Sequence, residues 1–327
     1  MSTKFRWGIL GPGNIAKKFA TGLQALNDAE LVAVGSRTKE RANVFADQFG
    51  VPKRHASYED LVNDPDVDAI YVSTPHPFHK DNSILCLNAG KAVLCEKPFA
   101  INQHETKAVI EVAKQKGVFL MEAMWTRFLP ITVQIRKWIT DGAIGEVRMF
   151  CADFGFRAGI NPQGRLFNPT LGGGGLLDVG IYPISYASMV FGSQPSKIQS
   201  QAHIGETGID EQAAMLFGYP GGAMALISCA VRTRTPHDAK ILGTEGMISV
   251  TPSFWNATKA TLSAGNKTET IDLPHKGNGY EYEAEEVARC VRAGKIESDA
   301  VPHAETMAIM QTMDAIRAQW GLKYPME

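Results

Sequence analysis

The sequence predicts an α/β domain built on a doubly wound parallel sheet, followed by an α+β domain with a mostly antiparallel open sheet. The length of 327 residues suits about two domains, at roughly 150 residues per domain. Over the first 122 residues, short apolar stretches alternate with helical patterns, which is typical of a parallel sheet covered on both faces. After Trp125, strands separated by turn signals dominate. We therefore expect domains at residues 1–122 and 123–327.

The first domain begins with an apolar strand at residues 5–10 and an amphipathic helix at residues 14–26. Thr38 is a candidate N-cap for a helix through residue 49, and Asn102 with Glu105 three residues later predicts another helix start. The remaining strands are predicted at residues 30–36, 54–56, 69–73, 92–95 and 118–121, with a short helix at residues 58–62 and helices ending at Gly90 and Gly117. Right-handed crossovers arrange such strands as a doubly wound Rossmann sheet.

The second domain is predicted to be rich in strands that hairpin turns connect. Turn signals occur at residues 220–222 (PGG) and 245–246 (EG). The strands are predicted at residues 145–156, 197–204, 211–217, 223–231, 240–242, 247–250, 259–263 and 269–273, and helices at residues 281–293 and 305–320. This order predicts an α+β domain with helices on one side of the sheet.

Composition and charge exclude several classes of function. Lys plus Arg number 33 and Asp plus Glu number 34, so the chain lacks the basic field of a dedicated nucleic-acid binder. No apolar stretch approaches the ~18 residues of a membrane-spanning helix, and a strand pattern begins too early to leave room for a signal peptide. The five cysteines are scattered, which favours reduced thiols in the cytoplasm, and no His, Cys and carboxylate spacing predicts a metal site.

A glycine motif predicts a phosphate site. Residues 11–16 (GPGNIA) fit the pattern G-x-G-x-x-A between a predicted strand and a predicted helix. Gly11 permits the turn and Gly13 lets a pyrophosphate approach the backbone, while Asn14 and Ile15 begin the helix whose N-terminus faces the anion. The alternative is an ordinary strand–helix turn that uses glycine for steric reasons.

The residues after the second strand predict which dinucleotide binds. An acidic residue at this place would hold the ribose hydroxyls of NAD, but the chain has Ser36, Arg37 and Thr38, with Arg41 four residues beyond Arg37. A guanidinium suits a 2′-phosphate, so we expect NADP in preference to NAD. The alternative is that the two arginines are solvated surface residues with no role in binding, and in that case the site would accept NAD.

Two further loops follow apolar strands of the parallel sheet. Glu96 and Lys97 precede Pro98, and Thr74 lies in the segment STPHPFH at residues 73–79. Ligands of doubly wound sheets bind at the carboxyl ends of the strands, so we expect Glu96, Lys97 and Thr74 to lie beside the cofactor. His76 and His79 contact the nicotinamide half or cap the next helix, and a solvated loop is the alternative for Lys97.

Together these segments resemble the glucose-fructose oxidoreductase / inositol dehydrogenase / rhizopine-catabolism (Gfo/Idh/MocA) superfamily. The resemblance rests on residues 11–16, 73–79, 89–98 (AGKAVLCEKP) and 172–182 (GGGGLLDVGIY). Residues 121–128 (MEAMWTRF) resemble its branch of dimeric dihydrodiol dehydrogenases and NADP-dependent D-xylose dehydrogenases.

The resemblance implies a two-domain oxidoreductase that holds its substrate between the domains. It places Lys97 beside the nicotinamide and the substrate hydroxyl, implies a cis peptide before Pro98, and implies a homodimer paired through the open sheet. Many members carry His where this chain has Tyr182, and tyrosine is typical of the dihydrodiol and xylose branch.

Asp178 and Tyr182 are candidate catalytic residues with Lys97. Their spacing of four places them on one helical face, although Pro183 disfavours a regular helix before it. Oxidation of an alcohol needs a base, and a nearby cation such as Lys97 lowers the tyrosine pKa from about 10. Asp178 would orient a second hydroxyl or Lys97, and the roles of Lys97 and Tyr182 are exchangeable.

Each of these candidate catalytic residues has an alternative role that is only structural. Tyr182 would then be a packing tyrosine, Asp178 a turn or capping residue, and the glycines at residues 172–175 a flexible surface loop. Several aromatic residues and arginines are candidates to line the substrate site. The alternative role for each is packing in the core or at an interface. They are Trp125, Arg127, Phe154, Phe156 and Arg157.

These observations predict an NADP-dependent dehydrogenase of a sugar or cyclic vicinal diol. The reaction would be oxidation of a D-xylose-like aldose to a lactone, oxidation of a trans-dihydrodiol, or the reverse reduction of a keto sugar. The alternative is a non-catalytic NADP-binding sensor, against which the intact set of Lys97, Asp178 and Tyr182 argues.

Overall fold

A computed structural model describes residues 4–192 and 194–327, which form two compact units. The first unit contains the described residues up to Trp125 together with Lys276–Met307, and the second contains Thr126–His275 and Ala308–Glu327. The sequence predicts one boundary at residue 122, close to Trp125, but it assigns Lys276–Met307 to the second domain. A helical pattern shows which face of a helix is buried and does not show which sheet covers that face.

The first unit is an α/β unit around a parallel sheet. Within its described residues the strands are ordered β3-β2-β1-β4-β5-β6, and the order reverses at β1, which is the doubly wound topology that the sequence predicts. The elements are β1 (Phe5–Leu10), α1 (Asn14–Leu23), β2 (Ala29–Gly35), α2 (Lys39–Phe49), β3 (Lys53–His55), α3 (Tyr58–Val62), β4 (Ala69–Val72), α4 (His79–Asn88), β5 (Ala92–Glu96), α5 (Gln103–Lys116) and β6 (Leu120–Ala123).

Local capping determines where two helices of this unit begin. The Thr38 hydroxyl accepts the Arg41 N–H at 3.4 Å, and the Asn102 side chain accepts the Glu105 N–H at 3.0 Å. Gly117 ends α5 in the left-handed region, with φ at 63°. Because these signals involve only neighbouring residues, the predicted helix starts agree with the structure.

The second unit is an α+β unit, and two further helices complete the chain. Its elements are α6 (Pro130–Thr140), β7 (Val147–Gly155), α7 (Ile181–Phe191), β8 (Lys197–Ile204), β9 (Asp210–Gly218), β10 (Met224–Ala230), β11 (Ala239–Gly243), β12 (Gly246–Val250), β13 (Lys259–Ala264) and β14 (Lys267–Asp272). The helix α8 (Glu281–Arg292) belongs to the first unit, whereas α9 (His303–Trp320) begins in the first and ends in the second.

The sheet of the second unit is antiparallel except where β10 pairs with β7, which confirms the mostly antiparallel sheet. Its strands are ordered β14-β13-β12-β11-β7-β10-β9-β8 in the described residues. One face packs on α7, where the rings of Phe150 and Tyr186 stack with centroids 5.5 Å apart. On the other face Leu216 and Leu226 are paired across β9 and β10 and remain 37% and 45% exposed.

A π-helical turn precedes α7, whose first turn contains Pro183. Leu176–Gly180 form a π-helical turn, in which the Ile181 N–H donates to the Leu176 carbonyl five residues back. Because proline has no N–H, it cannot complete the usual bond to the residue four positions earlier. The helix therefore starts through a wide turn that the sequence pattern did not specify.

Among the described residues, no helix combines the length and the apolar character that crossing a membrane requires.

Candidate functional site

The glycine turn of the first unit can accept a dinucleotide phosphate. Gly11 has a φ of 91°, and a Cβ there would lie 2.9 Å from the Thr74 side chain, so the turn requires glycine. The Ser73 hydroxyl and the Gly13 N–H both donate to the Gly11 carbonyl, at 2.9 and 2.8 Å. Asn14 begins α1 after Gly13, which is exposed and makes no side-chain capping bond.

The helix N-terminus at this turn has the polarity that an anion needs. The first turn of α1 contains no acidic residue, so its backbone N–H groups face outward without a competing carboxylate on that turn. Asn14 is exposed and Ile15 is half-buried. The residues present therefore fit a pyrophosphate in the way that the glycine motif predicts.

At the end of β2, two arginines form a basic surface. Ser36 is buried, whereas Arg37 and Arg41 are exposed, and the Arg37 guanidinium lies 6.0 Å from the centre of the Phe78 ring. Burial raises the pKa of Tyr58, and the charges of Arg37 and Arg41 oppose that rise. Both guanidinium groups are thus near the same phenol, and their charge fits a 2′-phosphate.

His79 connects two loops of the first unit. Its side chain has no exposed surface, Nδ1 lies 2.9 Å from the Pro98 carbonyl oxygen, and Nε2 lies 2.7 Å from the Thr74 carbonyl oxygen. Burial lowers the pKa of His79 to about 4. His79 therefore supports both loops through these two contacts, and a contact of His79 with the nicotinamide half stays a prediction.

Thr74 and His76, the other two candidates in the segment after β4, are also buried. The Thr74 hydroxyl accepts a hydrogen bond from the Asn82 amide at 3.1 Å, and the His76 ring meets the His79 ring edge-on. Thr74 and His76 thus lie at the carboxyl end of β4, where the sequence predicts cofactor contacts.

Lys97 is half-buried on a loop that neighbouring groups fix. The Lys97–Pro98 peptide is cis, as the resemblance implies. The Lys97 N–H donates to Glu96 Oε2 at 3.1 Å, and Glu96 also accepts the Tyr71 hydroxyl. Glu96 is only 5% exposed and supports this loop, and its contact with the cofactor stays a prediction.

Glu122 is a further support of this loop that the sequence did not single out. Its Oε1 accepts the Phe99 N–H at 3.1 Å, and its Oε2 accepts the Thr306 hydroxyl at 3.2 Å. Burial raises the pKa of Glu122 to about 7, with hydrogen bonds and the Lys97 charge opposing the rise. Glu122 lies in the segment MEAMWTRF, which the sequence analysis noted as a whole. No motif within that segment marks Glu122 as a supporting residue.

In the second unit, Asp178 and Tyr182 lie on consecutive turns. Asp178 belongs to the π-helical turn and accepts an Arg165 Nη2–H at 2.8 Å, while Tyr182 lies in the first turn of α7 and is 7% exposed. Arg165 was missed by the sequence analysis, because no spacing connects it with Asp178. The half-exposed Arg165 guanidinium and this carboxylate form an ion pair.

Tyr182 lies beside a small cluster of aromatic rings. Its ring centre lies 5.5 Å from that of Phe154, and Phe154 stacks flat on Trp255 with centroids 3.4 Å apart. His237 meets both Phe154 and Trp255 edge-on and places Nε2 2.6 Å from the Gly155 carbonyl oxygen. Trp255 and His237 carry no motif in the sequence, so only the folded chain groups them with Phe154.

The remaining candidates for a substrate wall differ in position. Trp125 is 4% exposed and stacks on Tyr280 within the first unit, and Arg127 is 5% exposed and acts electrostatically on the buried Tyr186. These positions favour the packing alternative for Trp125 and Arg127. Arg157 is exposed and Phe156 is half-buried, and both lie just after β7.

Within residues 4–192 and 194–327, no three His, Cys, Asp or Glu side chains are grouped so that they could hold a metal ion. The expectation that no metal takes part stays a prediction.

Two matches to protein families cover most of the chain. Residues 5–124 match the domain described as "Oxidoreductase family, NAD-binding Rossmann fold", and residues 132–249 match the "GFO/IDH/MocA C-terminal domain".

Several known proteins are similar over the full chain. The mouse trans-1,2-dihydrobenzene-1,2-diol dehydrogenase is 39% identical over 333 residues, with 98% of each chain covered, and the human protein of the same name is 36% identical over 331 residues, again with 98% of each covered. Among solved structures, the aldose-aldose oxidoreductase from Caulobacter crescentus in complex with glycerol aligns with a TM-score of 0.89 at 25% identity, over 97% of this chain and 98% of that one. The 3-ketoreductase KijD10 from Actinomadura kijaniata, in complex with NADP and TDP-benzene, aligns with a TM-score of 0.85 at 25% identity and the same coverage.

Proposed function

Because the chain belongs to the Gfo/Idh/MocA oxidoreductase family, we propose that it is an NADP-dependent dehydrogenase of a cyclic vicinal diol or a pyranose sugar. Its assignment as an NAD(P)-dependent oxidoreductase follows from the family, and the proposal concerns the cofactor and the substrate. One observation carries it: a dinucleotide-binding glycine turn and Lys97 occur in one chain with Asp178 and an aromatic-lined Tyr182.

The relatives support a ring-shaped substrate with neighbouring hydroxyls. The mouse and human relatives are named for a trans-dihydrodiol, and the Caulobacter crescentus neighbour is named for aldoses. The flat pair of Phe154 and Trp255 suits the face of such a ring, because aromatic surfaces pack on C–H groups. Oxidation of a trans-dihydrodiol, oxidation of an aldose to a lactone, and the reverse keto-sugar reduction all use this class of molecule.

We place proton transfer on Lys97 and Tyr182. NADP, when bound, supplies the hydride acceptor, and the chain binds the substrate and moves the hydroxyl proton. Lys97 lies on a loop whose backbone is fixed by Glu96, which accepts the Lys97 N–H, and by Glu122, which accepts the Phe99 N–H. We propose Tyr182 as the base that takes the hydroxyl proton and Lys97 as the cation that takes part in the reaction, or the same two residues with their roles exchanged.

Asp178 has an orienting role in this proposal. Its Oδ1 accepts a hydrogen bond from Arg165, which fixes the orientation of the carboxylate, and we propose that this carboxylate accepts a substrate hydroxyl. Tyr182 is 7% exposed and its ring lies beside Phe154, so bulk water has little access to it in the second unit.

The cofactor proposal is NADP. The exposed Arg37 and Arg41 support it, since two guanidinium groups match a 2′-phosphate better than a ribose hydroxyl. The NADP-bound 3-ketoreductase neighbour also supports this choice.

We further propose a cytoplasmic homodimer. The free cysteines Cys86, Cys95, Cys151, Cys229 and Cys290 support a reducing compartment. The apolar face of the second sheet, with Leu216, Leu226, Met224 and Met247 exposed, supports association with a second copy.

A substrate screen tests the proposed function. The purified protein is supplied with NADP or NAD and a panel of pentoses, hexoses and cyclic trans-diols, and formation of the reduced cofactor is followed by absorbance. We expect turnover with at least one ring-shaped vicinal diol, faster with NADP. Tight NADP binding without turnover in either direction on any member of the panel would favour the sensor alternative.

A further inference from the structure

Two buried side chains with no assigned role form hydrogen bonds to the glycine-rich turn at residues 172–176, which precedes Asp178 and Tyr182. We propose that Asp210 and Tyr324 are positioning residues, which set the backbone that presents Asp178 and Tyr182. This inference rests on the proposed function of those two residues, and every contact that carries it lies within the second unit.

Asp210 fixes the start of the π-helical turn. It has no exposed surface, and its Oδ2 accepts the Leu176 N–H at 2.6 Å. Leu176 is the first residue of the turn that contains Asp178, and a carboxylate at such a start satisfies a backbone donor that the helix leaves unpaired. Asp210 therefore acts on Asp178 through the backbone and not by contact with a ligand.

Gly174 lets Asp210 approach the turn. A Cβ at this position would lie 2.2 Å from Asp210 Oδ1 and 3.3 Å from the Tyr324 hydroxyl, and the φ of Gly174 is 123°. The Gly174 carbonyl also accepts the Asp178 N–H at 3.2 Å. All four glycines of the quartet are buried, so the expected alternative of a flexible surface loop is wrong.

Tyr324 forms the second hydrogen bond to the glycine-rich turn. It is 2% exposed, and its hydroxyl donates to the Gly173 carbonyl at 2.8 Å. Its own backbone N–H donates to Glu327, and Glu327 receives two hydrogen bonds of 2.8 Å from Arg317 of α9. The Arg317 guanidinium also lies 5.0 Å from the centre of the Tyr324 ring, so the phenol is fixed before it meets the turn.

Steady-state kinetics of two mild variants give the first test. Tyr324→Phe removes one hydroxyl, and Asp210→Asn keeps the shape of the side chain. We expect each to lower kcat about tenfold or more, because misplacement of a reacting group by ~1 Å costs on the order of 10²-fold. The Kd for NADP should stay within about twofold of wild type, since the cofactor residues lie in the first unit. A kcat within about twofold of wild type for both variants would overturn the proposal.

Tyr219→Phe is the matched control. Tyr219 is a buried tyrosine of the same unit that stacks on Phe191 and does not belong to the glycine-rich turn. We expect its kcat to equal that of wild type. An equal loss of kcat in Tyr219→Phe and Tyr324→Phe would show a general packing effect and contradict the proposal.

A double-mutant cycle separates positioning from general stability. In the Tyr182→Phe background the side chain that Tyr324 positions is already disabled, so Tyr324→Phe should cost little further activity. A purely structural role would lower kcat by the same factor in both backgrounds. Full additivity therefore overturns the proposal.

Amide hydrogen exchange gives a readout that does not depend on activity. Peptides covering residues 172–182 should exchange faster in Tyr324→Phe and Asp210→Asn than in wild type, and at the wild-type rate in Tyr219→Phe. Unchanged exchange in the first two variants would contradict the inference. Faster exchange in a protein that turns over no substrate would leave the inference standing and reject only the proposed function.

Discussion

Lys97 and Tyr182 are single side chains whose loss should stop the chemistry and spare the fold. We expect Lys97→Met and Tyr182→Phe each to lower kcat by about 10²- to 10⁴-fold, the usual contribution of a proton-transferring group. The Kd for NADP should change little, because the glycine turn and the arginines remain. Stopped-flow and steady-state kinetics with the substrate from the screen, together with fluorescence titration of NADPH, measure both quantities.

Each of these variants has a control in its own unit. Lys80→Met removes a cation of α4 with about a third of its side chain exposed and paired with Asp81, and Tyr186→Phe alters a buried tyrosine one turn after Tyr182. Neither control should lower kcat by more than about twofold. Near-normal turnover in both Lys97→Met and Tyr182→Phe would remove the proposed mechanism.

Arg37 should determine cofactor preference. We expect Arg37→Ala to raise the Kd for NADP by about 10- to 100-fold, the range of one charged hydrogen-bonding partner, and to leave the Kd for NAD unchanged. Isothermal titration with both dinucleotides measures the ratio. Arg148→Ala, a change of an exposed arginine in the second unit, is the control. A wild-type ratio near unity that Arg37→Ala does not alter would reject NADP as the preferred cofactor.

At the scale of elements, Asp64 connects the end of α3 to β3. Its oxygens meet Lys53 Nζ at 2.7 Å, the Asp66 N–H at 2.9 Å and His55 Nε2 at 2.9 Å. Burial by itself would raise the pKa of Asp64, but these hydrogen bonds outweigh it and lower the pKa to about 2. The folded protein therefore favours the ionised carboxylate more than the unfolded chain does, where the pKa is near 3.9.

The sign of the pH dependence follows from this lowered pKa. The stabilisation is present above about pH 4 and is lost as the pH falls towards 2, because the unfolded chain then binds the proton first. We expect Asp64→Asn to lower the free energy of unfolding by about 1–2 kcal/mol at neutral pH, after allowance for the exposure of Lys53, and by progressively less in acid. Denaturant titrations at several pH values measure the difference.

Asp81→Asn is the comparison for this pH series. Asp81 is 74% exposed and pairs with Lys80 on the surface, so its substitution should change the free energy of unfolding little at any pH. A difference between wild type and Asp64→Asn that is the same at neutral and acid pH would contradict the assigned pKa.

The sequence predicted those elements whose signals are local. Thr38 and Asn102 identify helix starts because a cap bonds to residues two or three positions away. The helix α6 was missed although its signals were present, namely Pro130 at the first turn and an apolar face with Ile131 and Ile135. The parallel pairing of β10 with β7 could not be predicted from the sequence, because no hairpin turn connects the two strands.

The candidate site shows the same limit. Lys97 and Tyr182 could be named as candidates because they lie in recognisable motifs after a strand and before a helix. Asp210, Trp255 and Arg165 act across many intervening residues, and no periodicity or spacing marks such contacts. Supporting side chains of this kind become visible only when the folded backbone brings them together.

At the scale of the whole molecule, the open sheet face should control association. We expect the wild-type protein to sediment as a homodimer, and Leu226→Lys to raise the dimer dissociation constant by at least about 100-fold, because a charge would be buried without a partner. Sedimentation velocity over a concentration series measures this. Val44→Lys is the control, since Val44 is 67% exposed on α2 of the first unit. A wild-type monomer at micromolar concentration would contradict the proposed dimer.

The first unit draws on two separate stretches of chain, and this limits how the protein can be divided or recombined. A fragment that stops at Trp125 would lose the Thr306 hydroxyl that Glu122 accepts and the His303 ring beside the Leu120 carbonyl. A chimera that transplants the cofactor half into a relative must therefore carry the stretch from Lys276 to Met307 as well, or leave a buried acid without its donor.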